Sequence, residues 1–402
     1  MPIEVRPFAG DARSYLSAVE RAFAEHPRDA DISVWSELVE LDRSLAAHDG
    51  ARVVGTASAF SFELAVPGGM LPAAGVTMVG VHPTHRRRGI LRSMMRAQLD
   101  DVHERGESLA ILWASEGVIY QRFGYGPGSM HARLSVERSR NAWRRPHEPS
   151  GEVRFVDLDE AKSAYPKLFE GLWRDHVGFF GRSEAYWAGE FFYVPDRWRR
   201  GLGPPFDVVH ETDGAVDGYA RYAIRDGKDD RQLEVTELIS ATPAARLDLW
   251  RFLLDVDLMA RVEAWNLAVD EPLLLAAAEP GKLGWRLGDA LWLRLVDLPA
   301  ALAGRRYEGS GRLVLAVTDD FCPWNAGRWE LAVEDGTAVA GRTDAPADLE
   351  LETADLAATF LGAFGFAQLL EARRVRECTP GAITRADGLF RTDRAPWCPG
   401  TF

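Results

Sequence analysis

The sequence predicts a mixed fold in which α/β units are followed by an α+β unit. Through the earlier part of the chain, short apolar strands alternate with amphipathic helices, which is the pattern of α/β units. From Leu291 the pattern changes to a run of strands with a few short helices, which is typical of an α+β unit. Because 402 residues exceed one ordinary core, two or three units are expected, and the pattern along the chain favours three, at residues 1–140, 141–289 and 290–402.

The first unit is predicted to have the element order β-α-α-β-β-β-α-β. Asp49-Gly50 and Pro67-Gly68-Gly69 are turn sequences between apolar runs, and each predicts a hairpin. A polar loop is expected at residues 24–31, followed by a short helix that carries Trp35, Leu38 and Leu41. The other elements predicted before the basic turn at residues 86–89 are strand Ile3–Arg6, helix Ala12–Phe23 and strands Leu45–Ala47, Arg52–Phe60, Leu64–Val66 and Met70 onward.

A basic turn follows the fourth strand and is the main candidate for a binding site. The apolar run Val76–Val81 predicts a buried strand, Pro83 ends it, and Arg86-Arg87-Arg88-Gly89 leads into a helix. The first N–H groups of a helix have no intrahelical partner and the dipole there is positive, so this turn favours an anion. The alternative is a solvated basic turn, although three arginines at a helix N-terminus oppose the dipole unless an anion binds.

The ligand of this turn is predicted to carry a pyrophosphate. The turn lacks both the Gly-x-x-x-x-Gly-Lys-Ser/Thr pattern of a Walker loop and the Gly-x-Gly-x-x-Gly pattern of a dinucleotide fold. What remains is Arg86-x-x-Gly89 between a strand and a helix. It resembles the pyrophosphate loop of the GNAT acyl-CoA-dependent N-acetyltransferases, whose pattern continues with Gly or Ala where this chain has Leu91.

A second motif follows the next predicted strand, Leu109–Ala114. It has the sequence Ser-Glu-Gly-Val-Ile-Tyr-Gln-Arg-Phe-Gly-Tyr-Gly over residues 115–126. Together with the Pro-Thr-His-Arg-Arg-Arg-Gly turn, this motif resembles the Eis (enhanced intracellular survival) family of N-acetyltransferases. The resemblance extends to Trp292-Leu293-Arg294, to Pro299–Leu302 and to an aromatic last residue. It covers the whole chain and is strongest at residues 76–128.

The resemblance implies tandem GNAT-like domains followed by a sterol-carrier-protein-like domain. The acetyl-CoA-binding domain is expected at residues 1–140, a central GNAT-like domain without a cofactor site at 141–289, and the sterol-carrier-like domain at 290–402. The central sequence agrees, because Thr242-Pro243 stands where the first unit has its Arg-x-x-Gly turn. The helix after it is predicted at Ala244–Leu258, with one face formed by Leu247, Trp250, Leu254 and Leu258.

The resemblance also implies acetyl-CoA as co-substrate. In the family's fold, backbone amides at the end of the fourth strand face the thioester, the basic turn wraps the pyrophosphate, and the end of the next strand touches the cofactor. The contacts expected on this basis are Val79, Gly80, Val81, Arg87, Arg88, Gly89, Ile90, Leu91, Arg92, Ser115 and Glu116. A metal is not expected, because His82-x-x-His85 spans a strand end and a proline turn without a third ligand nearby.

Two catalytic residues are implied by the resemblance. Tyr120, in Gly-x-Ile-Tyr, matches the family's general acid, which donates a proton to the leaving thiolate. Phe402 matches the residue whose free carboxylate is the general base; the apolar segment Trp397–Phe402 favours a buried position over a frayed terminus. Tyr125 is expected to be a packing residue. If the carboxylate is not the base, a water held by Glu116 is the alternative.

The composition limits the classes of partner. The net charge of −13 disfavours binding to nucleic acid or to an anionic membrane and favours a cationic substrate. The three cysteines are widely spaced, which indicates thiols in a reducing compartment. The N-terminal residues Met1–Pro7 lack the apolar run of a secretory signal, and the sequence contains no stretch typical of a membrane span. We therefore expect a cytoplasmic protein.

Three classes of function follow. The first is an acetyl-CoA-dependent N-acetyltransferase acting on a small polyamine-like or aminoglycoside-like amine. The second is a protein lysine N-acetyltransferase, and the third is a non-catalytic acyl-CoA or lipid binder. Tyr120 and Phe402 favour catalysis. The resemblance also implies a homo-oligomer, a hexamer, in which the C-terminal unit is a scaffold. The acidic residues Glu37, Glu40 and Asp42 are expected either at the acceptor pocket or on a solvated helix face.

Overall fold

The fold of the first stretch of the chain matches the predicted element order. The structure is a computed structural model that describes residues 3–26, 28–227 and 230–402. Its strands up to residue 137 are β1 (Glu4–Pro7), β2 (Leu45–Asp49), β3 (Arg52–Val66), β4 (Gly69–Val81), β5 (Leu109–Trp113), β6 (Gly126–Pro127) and β7 (Met130–Glu137). The helices are α1 (Ala12–Ala22), α2 (Asp29–Trp35), α3 (Ile90–Glu104) and α4 (Gly117–Gln121). The order β-α-α-β-β-β-α-β is therefore confirmed.

One helix of the first unit was placed wrongly by the sequence pattern. The helix expected to carry Trp35, Leu38 and Leu41 is α2, which begins at Asp29 and ends at Trp35. Part of the predicted polar loop is therefore helical. Asp29 and Asp31 lie in its first turn, where their charges suit the positive end of the dipole.

The central stretch forms a second α/β unit. Its strands are β8 (Glu152–Val156), β9 (Phe206–Thr212), β10 (Ala215–Arg225), β11 (Gln232–Ser240), β12 (Arg261–Leu267) and β13 (Arg286–Asp289). Its helices are α5 (Leu158–Glu170), α6 (Glu184–Tyr186), which continues as a π-helical turn at Trp187–Phe191, α7 (Pro243–Asp255) and α8 (Leu273–Ala276). The predicted face of α7 needs correction, because Leu258 lies beyond the end of the helix and is 75% exposed.

The last stretch is the predicted α+β unit. Its strands are β14 (Leu291–Leu295), β15 (Gly311–Thr318), β16 (Gly327–Glu334), β17 (Thr337–Arg342), β18 (Leu349–Glu352) and β19 (Val375–Glu377). Its helices are α9 (Leu298–Gly304), α10 (Thr353–Phe360), α11 (Phe366–Glu371) and α12 (Ala382–Phe390). The sheet of this unit has the order β17-β16-β15-β18-β19. In the part of the chain that the structure describes, no helix has the length and apolar character of a membrane span.

The two larger sheets exchange strands across the predicted unit boundaries. The first sheet has the order β1-β2-β3-β4-β5-β14-β6, and the second has the order β13-β7-β12-β11-β10-β9-β8. Strand β7, from the predicted first unit, pairs with β12 and β13 of the second. Strand β14, which was expected to open the third unit, lies between β5 and β6. The division at residues 140 and 289 itself stays a prediction.

Candidate active site

The centre of the candidate site is the place where β4 and β5 separate. These strands run parallel and pair over Ala73–Gly75 and Leu109–Ile111. Beyond Gly75, β4 continues to Val81 with pairing to β3, and its register shifts opposite Thr56–Ser58 at a bulge. Met78 in this bulge has φ 54°, an uncommon value for a residue with a side chain. The bulge and the divergence leave one edge of Val79, Gly80 and Val81 facing the gap.

Gly80 has a packing role in addition to the predicted one. A Cβ at this position would lie 2.9 Å from the Cβ of Ala22 and 3.3 Å from the ring of Phe23. The absence of a side chain therefore lets the end of α1 pack directly on β4.

The basic turn opens α3 and is shaped by two left-handed residues. Arg87 has φ 63° and Gly89, the N-cap residue, has φ 78°; no side chain caps the helix. A Cβ at Gly89 would meet nothing within 4 Å, so glycine is favoured there by conformation rather than by space. The helix therefore begins with backbone N–H groups that are available to an anion.

The arginines of the turn face solvent. Arg86, Arg87, Arg88 and Arg92 are exposed. The ion pairs of α3 lie further along the helix, at Arg96–Asp100 and Arg105–Asp101, and among the described residues no carboxylate pairs with the arginines of the turn. The turn is anchored instead by its buried histidine, His85, whose ring contacts Thr84 and Asp49. Positive charge and the positive end of the helix dipole therefore coincide here.

The second motif places Tyr120 and Tyr125 differently. Ser115 and Glu116 are exposed after β5, and Glu116 is the N-cap residue of α4, which carries Tyr120. Tyr120 is half-buried, and burial raises the pKa of its phenol. Its ring centroid lies 5.9 Å from that of Tyr125, edge to face. Tyr125 is fully buried, and its hydroxyl has no hydrogen-bond partner among the described residues.

The segment Trp397–Phe402 returns to the first sheet. The indole N–H of Trp113, at the end of β5, donates to the carbonyl of Gly400 over 2.8 Å. The hydroxyl of Tyr186 donates to the carbonyl of Thr401, also over 2.8 Å. The ring of Phe402 lies 5.0 Å from that of Phe62, and an added Cβ at Gly75 would lie 3.3 Å from it. Phe402 is therefore held beside Gly75, the last residue of β4 that pairs with β5.

Tyr120 and Phe402 approach this place from opposite faces of the sheet. Side chains alternate between faces along a strand. Tyr120 packs on the apolar cluster that contains Ala74 and Leu112, whereas Phe402 packs on the cluster that contains Ala73 and Ile111. The structure thus brings both predicted catalytic residues to the point of divergence, one on each side.

Sequence reasoning missed the residues that hold this segment in place. Besides Trp113 and Tyr186, the side-chain amide of Asn266 donates to the carbonyls of Cys398 and Pro399, and its oxygen accepts from the indole N–H of Trp397. Asn266 lies in strand β12 and is 5% exposed. The available signal was an asparagine next to the apolar residues Trp265 and Leu267 at the end of the strand, because such a side chain needs partners when it is buried.

Two of the three acidic residues expected near an acceptor pocket have structural partners, whereas Glu37 is exposed and has none among the described residues. Glu40 accepts from the amide and the hydroxyl of Ser61, and Asp42 pairs with Arg105. Neither lies on a helix that continues from α2. Within residues 3–26, 28–227 and 230–402, no group of three or more His, Cys, Asp or Glu side chains is arranged to hold a metal ion.

One other carboxylate lies near the Phe402 segment. Glu190 belongs to the π-helical turn Trp187–Phe191 and follows Tyr186, the partner of Thr401, by one helical turn. Burial raises the pKa of Glu190 to about 7. Among the described residues, none forms a hydrogen bond or an ion pair with its carboxylate. π-Helical turns occur frequently at functional sites.

Comparisons with known proteins agree with this architecture. Family models described as an acetyltransferase (GNAT) domain match residues 6–128 and residues 178–295. A model described as a sterol carrier protein domain matches residues 298–399. Two GNAT domains with a sterol-carrier-like domain after them define the protein as a GNAT N-acetyltransferase.

The relatives give the family. An uncharacterized N-acetyltransferase of Streptomyces avermitilis is 41% identical over 92% of this chain and 91% of its own length. The N-acetyltransferase Eis of Mycobacterium bovis is 35% identical over 90% of both chains. The crystal structure of Eis1 from Mycobacterium abscessus is 31% identical and covers all of both chains with a TM-score of 0.86. The chain belongs to the Eis family of N-acetyltransferases.

Proposed function

We propose that this enzyme transfers the acetyl group of acetyl-CoA to an amine of a small cationic acceptor by direct attack. The observation that carries the proposal is the common location of three features at the β4–β5 divergence: the uncapped basic turn, Tyr120 and the Phe402 segment. The residues of the turn fit a pyrophosphate, because their charges and helix amides are free to bind one. The proposed acetyl-CoA contacts are Val79 to Val81, Arg87 to Arg92, Ser115 and Glu116.

Each step of the transfer has a residue in this arrangement. The α-carboxylate of Phe402 accepts a proton from the acceptor amine as the new N–C bond forms. Backbone N–H groups at Val79–Val81 donate to the oxygen of the thioester carbonyl as negative charge develops on it. The phenol of Tyr120 donates its proton to the sulfur as the C–S bond breaks. The phenol carries this proton at neutral pH, and burial raises the pKa of Tyr120 further.

A small cationic acceptor suits the acceptor side of the gap. Phe180, from the central unit, packs on the ring of Phe402, and Tyr186 packs on Phe180, so the second unit forms a wall beside the proposed base. Glu190, one helical turn after Tyr186, adds a carboxyl group that has no partner among the described residues, and the chain as a whole has a net charge of −13. A walled site on an acidic chain favours a compact ammonium compound over a lysine on a folded protein. Polyamines and aminoglycosides are the proposed acceptor classes.

The discriminating experiment measures thiol release from acetyl-CoA against a panel of acceptors. The panel contains polyamines, aminoglycosides, a monoamine and lysine peptides. We expect turnover with the first two classes at concentrations where peptides give little. Preferred turnover of lysine peptides would favour protein acetylation instead, and binding of acetyl-CoA without turnover of any amine would favour a non-catalytic acyl-CoA binder.

The remaining proposals concern organisation. We retain the units 1–140, 141–289 and 290–402 as an acetyl-CoA-binding domain, a cofactor-less domain and a scaffold, and we propose a cytoplasmic homohexamer. Light scattering tests the assembly. A particle of 44.5 kDa, the mass of one chain, at micromolar concentration would contradict the homohexamer.

A further inference from the structure

Besides the Phe402 segment and β14, a loop of the third unit lies against the candidate acetyl-CoA site: residues 319–325, which follow β15. The ring of Phe321 in this loop is buried, and its centroid lies 5.3 Å from the guanidinium carbon of Arg92 and 4.1 Å from that of Arg96. The same centroid lies 5.0 Å from that of Phe123. The loop therefore contacts both the helix that begins at the basic turn and the segment that follows Tyr120.

This loop is held by specific hydrogen bonds. The carboxylate of Asp319 accepts from the amides of Phe321 and Cys322 over 3.2 Å and 2.8 Å, and from the guanidinium of Arg294 over 2.5 Å. Arg294 and Asp319 are themselves buried. Further along the loop, Trp324 stacks on His103 of α3, with centroids 4.6 Å apart. Phe321 is thus a fixed surface against which the side chains of α3 can rest.

Arg96 lies closer to this ring, but Arg92 is the arginine that adjoins the basic turn. It is the third residue of α3, its side chain is exposed, and no carboxylate of the described residues fixes it. A free arginine loses side-chain entropy when it binds an anion, and a ring beneath its guanidinium reduces that loss while keeping the charge. Arg96, in contrast, already has Asp100 as a partner.

We infer that Phe321 is a positioning residue for acetyl-CoA, which holds the guanidinium of Arg92 toward the pyrophosphate. The inference rests on the proposed function of the basic turn. It gives the sterol-carrier-like unit a part in co-substrate binding that requires no lipid. Phe321 itself contacts no reacting atom, so its effect is expected on binding and not on the chemical step.

The test compares two thioesters in the full-length enzyme. Phe321→Leu keeps an apolar side chain but removes the aromatic ring. The KM for acetyl-CoA should rise about two- to fivefold, the size of one partly exposed cation–π contact. The turnover number should not change, nor should the KM for S-acetylpantetheine, which lacks the phosphates. Phe321→Trp should retain the wild-type KM. Phe366→Leu, the same change in the core of the third unit away from α3, is the matched control.

Two results would overturn the inference. One is an unchanged KM for acetyl-CoA in Phe321→Leu; the other is an equal rise for both thioesters, which indicates a general disturbance of the site. A double variant with Arg92→Met supplies a second measurement, because the effect of Phe321→Leu should then disappear, and its persistence counts against the role of Arg92. Failure of the proposed function is distinguishable, since the wild-type enzyme would then release no thiol.

Discussion

The first and the central units have related strand–helix arrangements, and each contains two parallel strands that diverge. The gap between the diverging strands is open in the first unit and filled in the central unit. In the central unit, β11 and β12 are parallel and pair over Gln232–Val235 and Arg261–Ala264, after which β11 continues to Ser240. This resembles the divergence of β4 from β5. The helix that follows β11 is capped, however, because the Thr242 side chain accepts from the amide of Ala245.

The gap of the central unit is filled by the protein itself. Asn266, on β12 beyond the paired residues, binds the backbone of the Trp397–Phe402 segment. Glu237, on β11 beyond the paired residues, forms a buried ion pair with Arg182. The comparison teaches that the strand divergence alone does not make a cofactor site. An open gap and an uncapped helix are also needed, and the central unit has neither.

The largest expected effect comes from removing the end of the Trp397–Phe402 segment, which carries the proposed base. Deletion of Thr401 and Phe402 should lower turnover by about 10³-fold, within the range of a lost general base. Acetyl-CoA affinity and melting temperature should change little, because Asn266 still holds Cys398 and Pro399. Phe402→Leu, which keeps the carboxylate and an apolar side chain, is the control. Full activity of the deletion variant in a thiol-release assay would transfer the role of base to another group, such as a water held by Glu116.

The next effect distinguishes the two tyrosines of the second motif. Tyr120→Phe should lower turnover by about 10²-fold, as expected for a lost general acid. Tyr125→Phe should have a much smaller effect, because its hydroxyl is enclosed and has no partner among the described residues. Steady-state kinetics of both variants would decide the assignment, and the reverse ranking would make Tyr125 the acid.

The basic turn is tested by the affinity for acetyl-CoA. Replacing Arg87 and Arg88 by Ala should weaken binding about tenfold or more, since a hydrogen bond to a charged group contributes about 1.5–3 kcal/mol. Calorimetry measures this directly. Arg144 and Arg145, which are exposed in the segment between β7 and β8, provide a matched pair for the same double change. An equal loss in both double variants would indicate a general charge effect rather than a specific site.

Glu190 tests the contribution of the central unit to the acceptor side. Its pKa is raised from 4.5 to about 7, so between these values the folded state holds a proton that the unfolded chain has released. The free energy of unfolding therefore falls as the pH rises through this range, and above about pH 7 the whole penalty is present.

Glu190→Gln removes the penalty and should stabilise the protein at about pH 8 by on the order of 1 kcal/mol, with little change near pH 4. The same variant should raise the KM for a diamine severalfold and leave that for acetyl-CoA unchanged. Glu184→Gln, at an exposed position on the same short helix, serves as the control. A pH-independent difference in denaturant melts would show that Glu190 is not buried as a carboxylate.

The smallest effect concerns the cap that closes the central unit. Thr242→Ala should cost about 1 kcal/mol of stability, the usual value for a lost N-cap. Acetyl-CoA binding and turnover should not change if, as we propose, that helix binds no co-substrate. Urea melts combined with calorimetry check both statements. A second acetyl-CoA site in the variant would mean that the N-cap alone had prevented acetyl-CoA from binding to the central unit.

The parts of the fold that the sequence predicted are those encoded locally. Strand Val76–Val81, the turn to Gly89 and the helix after it are contiguous, so their periodicity and turn residues sufficed for the element order. The contacts of Asn266 and Phe321 could not be predicted, because each joins residues far apart in the chain. Helix α2 was misplaced because its polar first turn has the composition of a loop. The roles of Tyr120 and Phe402 came from the family resemblance and remain predictions.

The strand exchange between the two larger sheets has a consequence for synthesis on the ribosome. Strand β5 pairs on one side with β4, but its other neighbour, β14, emerges only after the entire central unit has been made. Until then the first sheet presents an open edge beside Leu109–Trp113, and open edges invite pairing with other chains. Contacts between such distant segments also form slowly. We therefore expect folding during synthesis to be sensitive to protection of this edge until β14 has been made.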